Sequence, residues 1–332
     1  MPIASGIPLC NLRLSGHGYA LPRRIVSSAE LEADLGLSSG WIEERTGIRE
    51  RRWCSDDESV ITLGVQACAA ALDRAQLPAT DIDLVICSTS TGQWSQPHTS
   101  AAIHGGLGMR VSSAAWDLNA VCSGYVHALH AGASLLAANS SWNHVLVVGA
   151  ERYSSITDPT DRRTRVLFGD GAGALVISRS EGDQRPEDGQ PRQAPFLGPL
   201  VSGTEFAGHE ALIVPEGEYF QMDGPAVREF GTSRIVQGLQ DACERAGIIV
   251  DDLDLVAPHQ SNLRMLETAM GELELPLTKL LTSVVTAGNT ASASIPITLS
   301  MRAESGDLQA GMQVGIVGYG GGLSWAASTL RW

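Results

Sequence analysis

Three short segments of this chain carry side chains that could do covalent chemistry together. In Asn119-Ala-Val-Cys-Ser-Gly-Tyr-Val-His-Ala-Leu129, Cys122 follows an apolar stretch and precedes a run of small residues. Ala131, Gly132, Ala133, Ala137 and Ala138 continue that run, so the spacing predicts a deeply buried helix. A cysteine at such a helix start meets the positive end of the dipole, which favours the nucleophilic thiolate. In Val256-Ala-Pro-His-Gln-Ser-Asn262, His259 projects from the end of an apolar strand stiffened by Pro258. An imidazole there can donate to a carbonyl oxygen or move a proton near neutral pH. In Ala287-Gly-Asn-Thr-Ala-Ser-Ala-Ser294, a glycine turn leads into a second small-residue helix, and Asn289 offers a neutral amide donor to a developing oxyanion. A fourth segment, Gly318-Tyr-Gly-Gly-Gly322, lets backbone approach a ligand closely and aim an amide at it.

Each segment alone has a plainer explanation: a packing cysteine, a structural histidine, a helix-capping asparagine, a glycine turn. Cys10, Cys54, Cys68, Cys87 and Cys243 receive that plainer reading, as do the seven other histidines. Gly169-Asp-Gly-Ala-Gly173 lacks the Lys-Ser/Thr of a phosphate loop and runs into a strand, not a helix. No spaced His/Cys/Glu set suggests a metal.

The elements that must position these groups are duplicated. Asp73-Arg-Ala followed by Asp81-Ile-Asp-Leu-Val-Ile86 returns as Glu244-Arg-Ala followed by Asp252-Leu-Asp-Leu-Val-Ala257, with the same internal spacing. Val145-Leu-Val-Val-Gly149 is echoed by Val314-Gly-Ile-Val-Gly318. Each copy reads as helix, buried strand, active loop, helix, buried strand, the strands being continuous apolar runs with helices on both faces. Helices are expected around 65–75 and 235–246. Two α/β halves packed on each other give a helix–sheet–helix–sheet–helix fold. The expected halves are 1–180, carrying the nucleophile, and 196–332, carrying His259 and Asn289. The Gly/Pro/Gln-rich stretch 181–195 is read as an exposed connection.

Composition narrows the function. The 332 residues include 23 Lys+Arg against 37 Asp+Glu, a net charge of −14. With no basic run, that balance argues against nucleic acid and anionic membranes as partners. Six scattered cysteines without a CxxC pair, and no signal-like or membrane-spanning stretch, fit a cytoplasmic enzyme.

Taken in order, the motifs resemble the type III β-ketoacyl-acyl carrier protein synthases of the thiolase superfamily. The resemblance runs through Gly16–Pro22 and Trp41-Ile-Glu-Glu-Arg-Thr-Gly-Ile-Arg-Glu-Arg-Arg52, then Cys122-Ser-Gly-Tyr125 and Asp158-Pro-Thr-Asp-Arg162. It continues through Phe168–Gly173, Pro258-His-Gln-Ser-Asn262, Gly288-Asn-Thr-Ala291 and Gly320–Leu323. It implies an α/β thiolase-like five-layer fold, a homodimer, and a triad of Cys122 as nucleophile with His259 and Asn289. It also implies an oxyanion hole from the amides of Cys122 and Gly321. Trp41 and Arg162 are implied to stack on the adenine of coenzyme A, with Arg45, Asn262 and Gly224 also counted as substrate-binding. The implied reaction takes an acyl group from acyl-CoA onto Cys122 and condenses it with a malonyl thioester on acyl carrier protein or coenzyme A. No cofactor is needed beyond these thioester substrates.

The chain departs from that family's pattern in places. Arg228 and Glu229 replace an aromatic-then-basic pair, and Gly271 and Glu272 stand where relatives carry carrier-docking lysines, though Arg264 remains. The loop Gly92-Gln-Trp-Ser-Gln-Pro-His98 is read as a pocket loop bulkier and more polar than a short saturated primer needs. That suggests a specialised acyl substrate, in natural-product rather than bulk fatty-acid synthesis. The rivals are an acyltransferase of the same fold acting on a hydroxyl or amine, a cysteine peptidase, and a non-catalytic scaffold. The first lacks a need for Asn289, and the second would carry a Cys-Gly-Ser-Cys-Trp signature that is missing here.

Overall fold

A computed structural model describes residues 9–180 and 195–332. The expected connection 181–195 lies outside the described residues except for Pro195, which is exposed. The first sheet comprises β1 (Leu12–Ala20), β2 (Leu84–Ser88), β3 (Ala114–Leu118), β4 (His144–Arg152) and β5 (Asp170–Arg179), in the order β1-β5-β4-β2-β3. The second comprises β6 (Val201–Thr204), β7 (Leu255–Pro258), β8 (Gln313–Gly320) and β9 (Ser324–Arg331), in the order β7-β8-β9-β6. The two sheets repeat one pattern. A parallel pair, β2/β4 or β7/β8, is followed by two antiparallel neighbours, β5 and β1 or β9 and β6. Even β3 has a vestigial counterpart, a single parallel bridge between Val256 and Leu280.

Helix α1 (Val60–Ala75) packs on β1, β5 and β4. It starts at a capping box between Ser59 and Thr62 and buries Val60, Leu63, Gly64, Ala67, Cys68, Ala71 and Leu72, one helical face. Its approach to β1 is so close that a Cβ at Gly18 would lie 2.4 Å from the Ala67 carbonyl oxygen. Helix α2 (Thr99–Gly106) joins it on that outer side. On the opposite outer side, α4 (Gly224–Ala246) and α5 (Leu263–Glu272) cover the second sheet.

Between the sheets lie α3 (Gly124–Ala138) and α6 (Ser294–Glu304). Both are buried nearly all round over their first turns, because a sheet presses on each face. Gly149 and Gly173 seat the start of α6, and Gly318 seats the turn before α3; a Cβ at any of the three would fall within 3.0 Å of opposing backbone. The result is the five-layer α/β thiolase-like fold.

The duplication reaches the turns that open the two central helices. Asn119 Oδ1 accepts the Val121 amide at 3.1 Å, and Asn289 Oδ1 accepts the Ala291 amide at 2.9 Å. Val121 and Ala291 then take the left-handed conformation, φ 48° and 46°, although neither is glycine. Such a residue costs about 1–3 kcal/mol. Each strained turn presents the next side chain, Cys122 or Ser292, at the start of a buried helix.

Candidate active site

Cys122 sits on the 3-10 turn Val121–Ser123 ahead of α3 and is 5 % exposed. Its neighbours are Tyr153, Phe168, Phe220 and Ala291, with Val121, Leu212 and Met222 around them. The three aromatics form a box: Tyr153 stacks on Phe168 at 4.7 Å between centroids, and Phe220 meets both edge-on. From the second sheet Gly320 closes on the sulfur, where a Cβ would lie 3.1 Å from Sγ. Burial pushes the thiol above its ordinary range, the Glu151 carboxylate pushes it further, and hydrogen bonds from its own amide and from Tyr153 oppose this only in part. Cys122 therefore rests as a thiol. The helix terminus does favour the anion, but desolvation outweighs it, and the ready thiolate expected from the sequence is corrected accordingly.

His259 follows β7 directly, and its amide donates to the Val317 carbonyl of β8 at 2.7 Å. Its ring meets Tyr319 edge-on at 5.2 Å. Nδ1 lies 2.8 Å from Ser294 Oγ, which also accepts the Gln260 amide at 3.2 Å. The contact fixes the ring through Nδ1 and leaves Nε2 for a ligand; when the serine hydroxyl donates to Nδ1, the ring hydrogen sits on Nε2. Burial lowers the imidazole pKa to about 3, so it is neutral.

Asn289 is stitched to the first half. Its amide donates to Leu167 O and its carbonyl accepts from Gly169 N, both at 2.9 Å. Because Oδ1 is engaged by the Ala291 amide, the carboxamide NH2 is the end left for a ligand. Cys122, His259 and Asn289 all line one cavity of about 1470 Å³, which opens past Trp41, Arg45, Arg162, Gly224 and Asn262.

A buried thiol beside two neutral N–H donors, reached by a long cavity, is a site for thioester chemistry. The model of 3-oxoacyl-[acyl-carrier-protein (ACP)] synthase III matches residues 116–187, and that of its C-terminal part matches residues 243–332. The β-ketoacyl-[acyl-carrier-protein] synthase III of Sinorhizobium medicae is 39% identical over 330 residues, covering 96% of this chain and 98% of that protein. This chain belongs to the β-ketoacyl-[acyl-carrier-protein] synthase III family. Among solved structures, the synthase III of Aquifex aeolicus superposes with TM-score 0.88 at 32% identity over 97% of this chain and 100% of that one. The priming β-ketosynthase of the R1128 polyketide pathway does so with TM-score 0.88 at 34% identity over 96% of each chain. The protein is thus a ketosynthase III-type condensing enzyme, an acyltransferase.

In this synthase III the mouth is built by the short helix Trp41–Thr46 and by α5. The Arg45 guanidinium lies 4.6 Å from the Trp41 ring centroid, which covers one indole face. Asn262 caps α5, accepting from the Arg264 and Met265 amides, and its Nδ2 donates to Arg45 O at 3.4 Å. It thereby ties α5 to the Trp41 helix, and it lines the cavity. Gly320, not Gly321, lies against Cys122 and lines the cavity; the Gly321 amide is one peptide beyond.

The loop Gly92–His98 does not join the site. Its residues are exposed, Trp94 at 48 %, and none lines the cavity of this chain. Gly271 and Glu272 are exposed at the end of α5, while Arg228 does line the cavity. The residues not singled out in the sequence are Tyr153, Phe168, Phe220, Glu151 and Ser294. Tyr153 carried a signal, since it stands just beyond a buried apolar strand as His259 does. Among the described residues no cluster of His, Cys, Asp and Glu could hold a metal, and no helix is long and apolar enough to cross a membrane.

Proposed function

We propose that Cys122 takes an acyl group from a coenzyme A thioester and that the acyl-enzyme then condenses with a malonyl thioester, with loss of carbon dioxide. The observation that carries this reading is the shared cavity, in which a thiol from one half faces neutral donors from the other. The Cys122 sulfur attacks the thioester carbonyl, and the acyl chain lies in the box of Tyr153, Phe168 and Phe220. The malonyl thioester follows with its carbonyl oxygen toward His259 Nε2–H and the Asn289 amide. Decarboxylation leaves an enolate, which two neutral N–H groups stabilise without giving up a proton. The enolate carbon attacks the acyl-cysteine, and amides at Cys122 and Gly321 receive the tetrahedral oxygen.

Coenzyme A would enter past Trp41 and Arg162, whose planar groups suit an adenine. The enzyme would work as a cytoplasmic homodimer without further cofactor. Simple transfer to a hydroxyl or amine is disfavoured, because it gives the donor pair at His259 and Asn289 no enolate to hold. The test is intact-mass analysis of the protein after incubation with a panel of acyl-CoA thioesters. One acyl mass on the wild type and none on Cys122→Ala is expected; no adduct from any thioester would refute the proposal.

A further inference from the structure

The arginines around the cavity mouth are of two kinds. Arg45 lies 3.5 Å from Glu44, Arg163 3.5 Å from Asp161, and Arg264 on α5 3.0 Å from Glu267. Arg264 also donates to the Glu43 and Glu44 carbonyls, at 3.4 and 3.2 Å. Arg162 and Arg228 are exposed and line the cavity, and among the described residues neither forms an ion pair. Arg162 faces the adenine in the reading above. Arg228 has no part in that reading, although it stands near the start of α4, where Gly224, Pro225 and Val227 line the same wall.

Beyond these arginines the charge has the opposite sign. Glu210, Glu218 and Asp223 are exposed at the edge of the cavity. Glu229 follows Arg228 on α4, and Glu272 and Glu274 are exposed at the far end of α5. Among the described residues none of these six carboxylates forms an ion pair. A malonyl group can arrive on coenzyme A or on a carrier protein, and both present it on the same pantetheine arm. They differ beyond that arm. Coenzyme A ends in a phosphorylated nucleotide, and a cavity of about 1470 Å³ has room for it. Each of its phosphates can pair with a guanidinium at contact distance, where two parallel hydrogen bonds form. An acyl carrier protein is itself acidic and must stay outside, covering about 800 Å² of the rim to dock stably. Over such an area the unpaired carboxylates outnumber the unpaired arginines, and like charges set face to face oppose docking.

We infer that the extender unit of this enzyme is malonyl-coenzyme A, that Arg228 binds one of its phosphates, and that the acidic rim turns away an acidic carrier protein. This rests on the condensing reading above and names its second substrate. The acyl-coenzyme A of the first stage enters by the same mouth and meets the same arginine. Arg228 is a binding residue: it touches the nucleotide end of the thioester and not the reacting carbons, so its loss falls on KM. The selection is made by charge at two ranges. Contact pairing at Arg228 favours the small polyanion, and the wider field of the rim opposes the large one.

The experiment offers malonyl-CoA, malonyl-pantetheine and malonyl-acyl carrier protein to the acyl-loaded full chain and follows carbon dioxide release. Binding of coenzyme A, pantetheine and the carrier protein is measured beside it by calorimetry, which needs no turnover. Malonyl-CoA is expected to exceed the malonyl carrier by at least about 10-fold in kcat/KM, an electrostatic difference of ordinary size. Arg228→Ala is expected to raise KM for malonyl-CoA about 10-fold, the low end for a lost hydrogen bond between charged groups, and to change KM for malonyl-pantetheine, which has no phosphate, by less than about twofold. A merely structural role would raise both. Glu229→Lys combined with Glu272→Lys is expected to increase use of the carrier and to make its binding weaken with salt, because attraction then replaces repulsion. Equal use of carrier and coenzyme A by the wild type, equal changes on the two small thioesters, or no gain from the two lysines would each overturn the inference. Release of no carbon dioxide from any of the three would instead count against the condensing reading. Calorimetry would then decide the phosphate site: weaker coenzyme A binding in Arg228→Ala with pantetheine binding unchanged supports it, and unchanged coenzyme A binding overturns it.

Discussion

At the residue scale the site runs on neutral groups that burial keeps neutral. His259 is the clearest case, a fully enclosed imidazole whose folded pKa falls to about 3 from 6.5. The unfolded chain therefore binds a proton that the folded chain refuses, between those two values. Stability from this group is complete above pH 6.5 and is lost as the pH falls from 6.5 toward 3, by about 1.4 kcal/mol per unit for one such histidine. Urea denaturation at pH 7 and pH 5 is expected to show a larger fall for the wild type than for His259→Gln. Equal falls would mean that the imidazole is not held neutral by its surroundings. The same enclosure explains why the nucleophile was only half legible in the sequence. Position at a helix start was readable from Cys122-Ser-Gly and the alanine run. The desolvation that overrides it comes with the packing of Phe168 and Phe220, and the charge of Glu151 adds to it; all three are distant in sequence.

At the scale of elements, the site depends on how closely the second sheet presses on the turn before α3. Gly318 of β8 has room for no side chain, since an added Cβ would lie 2.8 Å from Ser123 Cα and 3.0 Å from Cys122 O. Both are backbone atoms of a turn already strained at Val121, so relief must come from separating strand and turn. Gly318→Ala is expected to cost about 1–3 kcal/mol, the range for overpacking. It should also slow Cys122 loading, because the turn that aims the sulfur moves. Thermal denaturation and the loading rate, measured on one preparation, check both parts; an unchanged melting temperature would show that the contact has slack. The glycine was visible in the sequence as part of a glycine run, but its partner was not, because the contact joins positions nearly 200 residues apart.

At the scale of the molecule, the duplication explains why the active side chains come from different halves of the chain. The repeated Asp-x-Asp-Leu-Val strand foretold two α/β halves, and the matching sheet orders extend that correspondence to four strands in each. The equivalence of Asn119-x-Val-Cys and Asn289-x-Ala-Ser escaped notice, because it lies in backbone conformation and in a side-chain cap and not in residue identity. One half uses this turn to offer a thiol. The other uses it to offer a carboxamide and, through Ser292, a hydrogen bond of 2.7 Å to the Glu151 carboxylate. The loop Gly92–His98 is the opposite case: its polar and bulky residues stood out in sequence, and within this chain they are exposed and do not line the cavity.

The most direct measurement of the central claim is a single turnover. Enzyme loaded at Cys122 with one acyl group is mixed with a malonyl thioester carrying a labelled free carboxyl, and released carbon dioxide and the acyl-cysteine mass are followed together. The account predicts one carbon dioxide per acyl group lost, with a product two carbons longer. It also predicts that Asn289→Asp, which sets a negative charge against the enolate, loads normally but releases carbon dioxide at least about 100-fold more slowly. Loss of the acyl group from the wild type with no carbon dioxide released would contradict it.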